Sequence, residues 1–404
     1  MRRTTRPGFP LPSDANTIWC LGLYVSALAL DNYRSYHTLV VEFSPGVTVF
    51  HGRNGRGKTN IVEALGYLST LSSHRVSSEK ALVRQGQSAA VIRARVNDGR
   101  ENLLEVELVS GGANRARINR AMVAPREIVG YLRTVTFAPE DVQIIRGDPS
   151  GRRRFLDTAL MQMKPAYSSM KRDLDKVLAQ RAAALKNASF LGSDMLDVWD
   201  ESLVELSAQV AAHRISFVAS MAPILSQAYG HVADDTKTAT MEFRSKLGEI
   251  PDTVPHIEDG HMPDLTDMVD SMRHLYRHSI ENNRDEEIRR RQNLVGAHLD
   301  DFDVYVDGLP AKGFASHGET WSSVLALRLA QAQVLSTEDA PPILILDDVF
   351  AELDSRRRLA LASRMADFDQ VFVTAAVEED LPHLMESDRI EITWSAEEGS
   401  QIGK

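Results

Sequence analysis

The sequence predicts an α/β fold interrupted by a mostly helical second part, and three observations lead to this prediction. Gly52–Thr59 matches the pattern G-x-x-x-x-G-K-[ST], between a β-branched run at 47–50 and the start of a helix. A continuous apolar run at 342–348 ends in two aspartates, as a strand of a buried parallel sheet would. Between these segments, residues 165–290 show mainly helical periodicity. We therefore expect a parallel core sheet whose chain is divided by a helical insertion.

Composition limits the class of protein. The 404 residues are enough for about two to three domains. The formal net charge of −10 argues against a uniformly basic surface, although local basic patches are compatible with it. No apolar stretch is long enough to span a bilayer, and the first residues lack the apolar core of a secretory signal. We therefore expect a cytoplasmic protein with no membrane partner.

The elements follow in order along the chain. Alternating runs separated by Asp98-Gly99 and Gly111-Gly112 are hairpin signals, which predict an antiparallel sheet beside the parallel core. Strands are predicted at 23–28, 40–43, 47–50, 90–96, 103–109, 115–118, 134–137, 240–243, 303–308, 342–348, 370–374 and 389–394. Helices are predicted over 152–229, with breaks near Pro165 and Gly192, and over 264–292 and 320–335. Pro223 is expected to kink or restart the helix that contains it.

The glycine-rich segment carries phosphate chemistry. Glycine tolerates positive φ, so successive backbone N–H groups of this P-loop can point inward at phosphate oxygens. The following helix N-terminus adds partial positive charge. Lys58 is expected to reach the β- and γ-phosphates, and the Thr59 hydroxyl to bind Mg²⁺. The sequence therefore predicts a site for a nucleoside triphosphate.

Two downstream motifs complete a composite site. Asp347 is expected to meet the metal at the carboxyl end of its strand, as a Walker B aspartate, and Asp348 to polarise the attacking water. Ser316-His317-Gly318-Glu319, at the start of a helix, has the form of an ABC-type signature and predicts a second anion site. In this class that site, with Ser316, Gly318 and Glu319, serves the γ-phosphate of a second subunit. Asp354 is then expected across the seam of a head-to-tail dimer.

These motifs together predict an ABC-type P-loop ATPase head, with a parallel core sheet, an antiparallel β-subdomain and an inserted, mostly α-helical second domain. The predicted segments are a flexible basic extension at 1–18, the first part of the head at 19–164, a helical arm at 165–290 and the second part of the head at 291–404. The helical arm is too short for a very long coiled coil, and its heptads are not sustained.

The chain resembles the RecF family, bacterial recombination-mediator ATPases of the SMC-like branch, over nearly all of its length after the first twenty residues. The segments that carry this resemblance are Asn32–Arg34, Gly52–Asn60, Glu63-Ala64, Ser73–Arg75, Phe137–Asp141, Arg152–Asp157, Gln180-Arg181, Gly296–His298, Ser316–Glu319 and Asp347–Asp354. The nucleotide-binding residues that the resemblance and the P-loop imply are Asn32, Arg34, Gly52, Arg53, Asn54, Gly55, Arg56, Gly57, Lys58, Thr59 and Asn60.

The resemblance implies a function in recombinational repair, in the SOS response and at replication forks. An ATP-induced homodimer would clamp duplex DNA near single-strand gaps and act with RecR and RecO to help load RecA. ATP with Mg²⁺ would be hydrolysed slowly, as a DNA-dependent timer. Candidate DNA contacts are Arg115, Arg117, Arg120, Arg152, Arg153 and Arg154, followed by Lys171, Arg172 and Lys176. For the arginines at 289–291 and 356–358 a solvated face or an interface is the better interpretation.

The chain also departs from the family pattern. Leu299 stands where the family usually has an arginine before the acidic pair, so no role of that arginine is carried over. Transporters have a metal-sensing glutamine in the segment that corresponds to 137–141, and this chain has none there. The transporters' switch histidine is also missing, and Thr374 lies in its neighbourhood. Two alternatives remain: a transporter-type ATPase subunit, which would need a membrane partner, and another SMC-like head whose role is structural.

Overall fold

The structure is a computed structural model that describes residues 22–76, 78–191, 196–233, 237–248, 250–338, 340–377, 381 and 387–403. The predicted extension at 1–18 lies outside these residues. No helix within the described residues is long and apolar enough to cross a membrane.

Strands supply the first part of the chain and return at its end. They are β1 Leu23–Tyr33, β2 Tyr36–Glu42, β3 Gly46–His51, β4 Ala89–Asp98, β5 Glu101–Val109, β6 Arg115–Ile118, β7 Ala121–Val123, β8 Thr134–Phe137, β9 Ala239–Arg244, β10 Asp301–Val306, β11 Leu309–Pro310, β12 Ile343–Asp347, β13 Gln370–Ala375, β14 Asp388–Ser395 and β15 Gly399–Ile402. The helices are α1 Lys58–Thr70, α2 Val142–Arg146, α3 Pro149–Met163, α4 Pro165–Leu191, α5 Asp197–Val232, α6 Thr266–Arg290, α7 Ala311–Phe314, α8 His317–Leu335 and α9 Ser355–Met365.

Within the described residues, twelve strands form one mixed sheet in the order β7-β6-β5-β4-β1-β2-β15-β14-β3-β13-β12-β8. The last five, from β14 to β8, pair in parallel, whereas the others pair antiparallel. This confirms the predicted parallel core with an antiparallel β-subdomain. Asp347 lies opposite Thr374, which lies opposite Phe50, so the carboxyl ends of β12, β13 and β3 meet at one edge.

The parallel strands are buried on both faces, which explains their continuous apolar runs. Leu344 and Leu346 point into a core shared with the helices, whereas Ile343 and Ile345 point into a core shared with α1 and the β-subdomain. The first core includes residues of α3, α4, α5, α6 and α8. The segment boundaries predicted at 164 and 290 therefore do not coincide with a break in the hydrophobic packing.

Helix α5 runs for 36 residues through Pro223, so of the two outcomes predicted at this proline, a kink or a restart, the restart does not occur. Met221 and Leu225, on either side of it, are completely buried, and α5 packs on α6, α8 and β9. This packing outweighs the loss of the hydrogen bond that the proline nitrogen cannot donate. The predicted break near Pro165 is confirmed, since α3 ends at Met163 and α4 starts at Pro165.

Buried ion pairs hold the helices to one another. The Arg214 guanidinium, fully buried on α5, donates to both carboxylate oxygens of Asp157 on α3, at 2.8 and 2.9 Å. Arg181 on α4 binds Asp200 of α5 and Glu287 of α6, each at 2.6 Å. A buried charge without its partner is strongly unfavourable, so these pairs fix how the helices are arranged.

Candidate nucleotide-binding site

The P-loop joins β3 to α1 and has the backbone that phosphate binding requires. Gly52, Gly55 and Gly57 have φ values of 132°, 75° and 106°. A Cβ at Gly52 would lie 2.5 Å from the carbonyl oxygen of Ile392, so that position also lacks room for a side chain. Helix α1 begins directly after Gly57, at Lys58. The loop and the helix N-terminus thus form the predicted anion cradle.

Lys58 lies across the mouth of this cradle. Its ammonium donates to the carbonyl oxygen of Gly52 at 2.7 Å and to Oδ1 of Asn54 at 3.3 Å. Burial lowers the pKa of Lys58, and the nearby carboxylates of Asp348 and Asp347 oppose this shift. A partly desolvated ammonium beside the glycine-rich loop can bind a phosphate group through charge-assisted hydrogen bonds.

The end of β12 meets the start of α1 through an oxygen cluster. The hydroxyl groups of Thr59 and Thr374 both donate to Oδ1 of Asp347, at 2.9 and 2.7 Å. Asp347 is almost fully buried. A hydroxyl and a carboxylate, both hard oxygen ligands, form the donor set that Mg²⁺ prefers. Thr59 and Asp347 therefore fit the metal site predicted from the sequence.

Asp348 has the environment of a proton acceptor. Its backbone has φ 53°, in the left-handed region that a non-glycine residue rarely adopts, and its N–H donates to Thr374 Oγ1 at 2.9 Å. Burial raises the pKa of Asp348, and the neighbouring Asp347 raises it further. Strained backbone of this kind concentrates at functional sites. The strain and the raised pKa agree with the water-polarising role predicted for this carboxylate.

The β1–β2 turn, which carries the predicted nucleotide-binding residues Asn32 and Arg34, lies beside the P-loop helix. Arg34 makes a bidentate ion pair with the fully buried Glu63 of α1, at 2.5 and 2.8 Å. Asn60 Nδ2 donates to Ser35 Oγ at 2.7 Å. Asn32 has φ 49°, and its buried side-chain oxygen has no hydrogen-bond partner among the described residues. The turn is thus anchored to α1, and the Arg34 charge is engaged by Glu63 rather than directed at the P-loop.

The C-terminal hairpin β14–β15 forms a wall of the site that the sequence did not predict. Ser400 Oγ lies 2.6 Å from Ser35 Oγ, and a Cβ at Gly57 would lie 2.5 Å from Ser400 Oγ. Arg56 donates to the carbonyl oxygen of Trp394 at 3.2 Å, with its guanidinium 5.7 Å from the indole ring centre. Arg53 is exposed at the rim. No motif marks Ser400 or Trp394, because the sheet alone brings them to the P-loop.

The signature turn begins α8. Ser316 Oγ accepts from the Glu319 N–H at 3.3 Å, and the Glu319 carboxylate accepts from the Ser316 N–H at 2.8 Å, which is a capping box. A hydrogen bond from Lys237 is the largest cause that lowers the pKa of Glu319 to about 2, followed by hydrogen bonds from Ser316. Gly318 lies beside the Arg357 side chain.

Asp354 caps α9 by accepting from the Arg357 N–H at 2.9 Å. Arg357 also ion-pairs with Asp354 and donates to Ser322 Oγ of α8 at 2.8 Å. Asp354 and the signature turn are therefore neighbours within one chain. Arg357 connects the two, and no hydrogen bond or ion pair among the described residues joins either of them to Gly52–Thr59.

Comparison with known proteins agrees with this geometry. The family model for the RecF/RecN/SMC N-terminal domain matches residues 24–397. The DNA replication and repair protein RecF of Rhodococcus erythropolis is 43% identical over 387 residues, covering 92% of this chain and 94% of the relative. That of Frankia alni is 45% identical, covering 89% and 95%. The chain belongs to the RecF family.

Solved structures agree on the fold. The recombination mediator protein RecF in the RecFOR pathway, as RecF-ATPrS, matches with a TM-score of 0.81 and 25% identity over 95% of this chain and 98% of that one. An SMC head from Pyrococcus furiosus matches with a TM-score of 0.54 at 15% identity, over 94% of this chain and 96% of that one, which shows the shared head fold alone. This RecF-family chain is accordingly a DNA replication and repair ATPase with an SMC-like, ABC-type head.

Within this RecF-family chain the predicted DNA contacts differ in accessibility, and the prediction is wrong for Arg152. Its side chain is buried and donates to both carboxylate oxygens of the buried Asp301, at 2.7 and 2.8 Å. Arg152 therefore cannot reach a phosphate. Arg153 is half-buried and donates to the carbonyl oxygen of Asp300 at 2.9 Å, whereas Arg154 is exposed.

The other candidates lie on two surfaces. Arg115 and Arg120 are exposed on β6 and at the β6–β7 turn, and Arg115 lies 3.7 Å from a carboxylate oxygen of Glu107. Arg117 forms an ion pair with Glu105. The Lys171 ammonium lies 2.6 Å from a carboxylate oxygen of Asp175. The side-chain nitrogens of Arg172 and Lys176 lie 3.6 and 3.2 Å from a carboxylate oxygen of Asp173. A cleft of about 1260 Å³ between the β5–β6 turn and helices α3 and α4 is lined by five basic side chains, Lys80, Arg153, Arg154, Lys171 and the buried Arg214.

The arginine runs outside this cleft have local partners. Arg289 and Arg290 pair with Glu286 one turn earlier on α6. Arg358 donates to the carbonyl oxygen of Leu353 at 2.8 Å.

The acidic pair Asp300-Asp301 follows Leu299. Burial raises the pKa of Asp300, which accepts hydrogen bonds from Tyr276 and Ser245. Buried hydrogen bonding of this kind indicates a structural role for the pair.

Proposed function

We propose that this protein is an ATP-dependent DNA clamp, in which two protomers bind ATP and Mg²⁺ head to tail and hold duplex DNA near single-strand gaps. One observation carries the proposal: each chain has a complete P-loop with Asp347 and Asp348, and a separate signature turn at Ser316 that does not contact this P-loop. In a head-to-tail dimer, the signature turn of one protomer would face the γ-phosphate at the P-loop of the other.

Within that dimer each group of site residues has a separate role in ATP binding and hydrolysis. Lys58 and the P-loop N–H groups hold the phosphates. These donors are already in place, so they stabilise the negative charge of the phosphates without rearranging. Thr59 and Asp347 hold Mg²⁺, which neutralises charge that develops on the phosphates. Asp348 orients a water and accepts its proton, favoured by a pKa that burial raises. Ser316 and the start of α8 add hydrogen-bond donors from the partner protomer.

Thr374 supports the carboxylates and does not replace the switch histidine. Its single hydroxyl proton is donated to Asp347 at 2.7 Å, and its oxygen accepts from the Asp348 N–H. A hydroxyl has one proton to donate, so this arrangement leaves none for a phosphate. We therefore assign Thr374 a positioning role.

For DNA we favour the cleft beside α3. Arg154 and Lys80 line it with Lys171, and contacts from such side chains to phosphates do not depend on sequence. Arg115 and Arg120 form a second, smaller exposed group on the β-subdomain. Binding of the duplex backbone agrees with a chain of net charge −10 whose basic residues are localised.

The partners proposed are RecR and RecO, with which the clamp would help load RecA. Support comes from family membership and from the solved relative described as a recombination mediator in the RecFOR pathway. Slow hydrolysis would then release the clamp and act as a timer, stimulated by DNA.

The test is ATP turnover per protomer as a function of protein concentration, with and without duplex DNA. A rate that rises with concentration, and rises further with DNA, is expected for a site completed by a second protomer. Ser316→Arg is the control, since it alters the trans half-site and leaves the P-loop intact. A rate independent of both concentration and DNA would leave nucleotide binding standing and would refute the dimeric clamp.

A further inference from the structure

An imidazole lies beside the carboxylate that is proposed to bind the metal. His74 Nε2 is 3.6 Å from Asp347 Oδ2. That nitrogen is buried and has no hydrogen-bond partner among the residues that the structure describes. The separation is too long for a hydrogen bond, yet a small side-chain rotation would close it. A buried, unpaired polar nitrogen is unfavourable, so its location next to Asp347 calls for a physical explanation.

The backbone that carries His74 is firmly held. Ser73 Oγ donates to the buried Glu63 carboxylate at 2.5 Å and accepts from the N–H groups of Arg75 and Val76, at 3.0 and 3.1 Å. Glu63 is on α1, one turn after Thr59, and is fixed by Arg34. The His74 backbone is therefore tied to the same helix that carries Thr59, which restricts where the imidazole can lie.

The two oxygens of Asp347 have different surroundings. Oδ1 accepts from both Thr59 and Thr374. Oδ2 faces His74 instead. A carboxylate held at one oxygen only can still turn about its Cβ–Cγ bond, because that torsion is soft. A donor on Oδ2 would stop this rotation and keep Oδ1 directed at Thr59.

We propose that His74 is a positioning residue for the metal site, donating from Nε2 to Asp347 Oδ2 and thereby orienting Oδ1 toward Mg²⁺. This inference rests on the proposed function, because it assumes that Asp347 holds Mg²⁺ with ATP. Residues that orient metal ligands by hydrogen bonding affect metal affinity strongly, and their loss typically weakens it about 10–100-fold. His74 would thus act on the metal through Asp347 and would not contact the metal itself.

The experiment measures binding and not turnover. The affinity of the full-length protein for a non-hydrolysable ATP analogue is determined by calorimetry, once with Mg²⁺ and once with EDTA. The ratio of the two affinities is the gain due to the metal. His74→Ala should reduce this ratio by about 10–100-fold, with unchanged affinity in EDTA. His74→Gln, whose amide N–H can replace Nε2–H, should restore most of it. His37→Ala removes an exposed histidine of β2 and should behave as wild type.

Two results would overturn the role proposed for His74, and a third would overturn the proposed function instead. A wild-type ratio retained in His74→Ala would overturn the proposal while leaving the nucleotide site intact. Equal weakening with and without Mg²⁺, not rescued by His74→Gln, would also overturn it, since a disturbed P-loop helix would produce that result. If wild-type protein binds no nucleotide even with Mg²⁺, the proposed function fails first, and the wild-type measurement alone distinguishes this case.

Discussion

Arg152→Ala should lower the stability of the protein, whereas Arg154→Ala should weaken DNA binding, although both arginines belong to one basic cluster. Arg152 makes two hydrogen bonds to Asp301, at 2.7 and 2.8 Å, and one to the carbonyl oxygen of Gly147 at 3.1 Å. Arg152→Ala leaves the buried Asp301 carboxylate with Arg244, whose side chain is 61% exposed. Removing one partner of a buried pair costs about 3–5 kcal/mol of unfolding free energy.

Arg154→Ala should leave stability within about 0.5 kcal/mol of wild type, because the side chain is exposed. If Arg154 contacts one phosphate, its loss should reduce the slope of log affinity against log salt by about 0.9. Stability is measured by urea denaturation followed by circular dichroism, and DNA affinity by fluorescence anisotropy over a series of salt concentrations. Normal stability with lost DNA affinity in Arg152→Ala would refute the structural assignment of Arg152. An unchanged salt slope in Arg154→Ala would refute the cleft as the DNA surface.

Three further predictions follow from the site and its surroundings. Asp348→Asn should keep ATP binding and lose turnover, so that ATP-bound dimers accumulate in size-exclusion chromatography; a monomer under ATP would contradict this. Ser316→Arg should bind ATP as wild type but remain monomeric, and a stable ATP-dependent dimer in that variant would refute the head-to-tail arrangement. Burial lowers the pKa of His298 to about 4 from an unfolded value of about 6.5, so the unfolded chain binds the extra proton between these values. Stability should therefore be complete above pH 6.5 and fall by about 3 kcal/mol as pH decreases to 4, and His298→Gln should flatten that decrease in urea midpoints measured across this range.

The nucleotide half of the site could be predicted because its information is local. The P-loop needs glycines at fixed spacing, and β12 needs an apolar run that ends in carboxylates, so both appear in short stretches of sequence. Strands β6 and β8 have the bounds predicted, since hairpin and burial patterns are also local. The parallel order of β3, β13 and β12 then brings Thr59, Thr374 and Asp347 together.

What the sequence could not provide depends on distant partners. In the sequence nothing distinguishes Arg152 from an exposed basic residue, because its partner Asp301 is 149 positions away. Strand β15 has almost no alternation and forms because β14 pairs with it, which is how Ser400 comes to lie against the P-loop. In the sequence His74 is only one residue of a family motif, and its proximity to Asp347 depends on the folded loop. Charge and motif patterns identify residue types, whereas burial and pairing decide what each one does.

The link between Asp354 and the signature turn bears on how two protomers would engage. Arg357 joins α9 to α8 by binding both Asp354 and Ser322, and its guanidinium lies against Gly318. A shift at the start of α8 would therefore be transmitted to Asp354 through Arg357, because one guanidinium binds residues of both helices. If the signature turn docks on the γ-phosphate of the partner, Asp354 reaches the dimer seam in the same step. Contacts at the seam are then coupled to nucleotide occupancy, which is the coupling that a clamp released by hydrolysis requires.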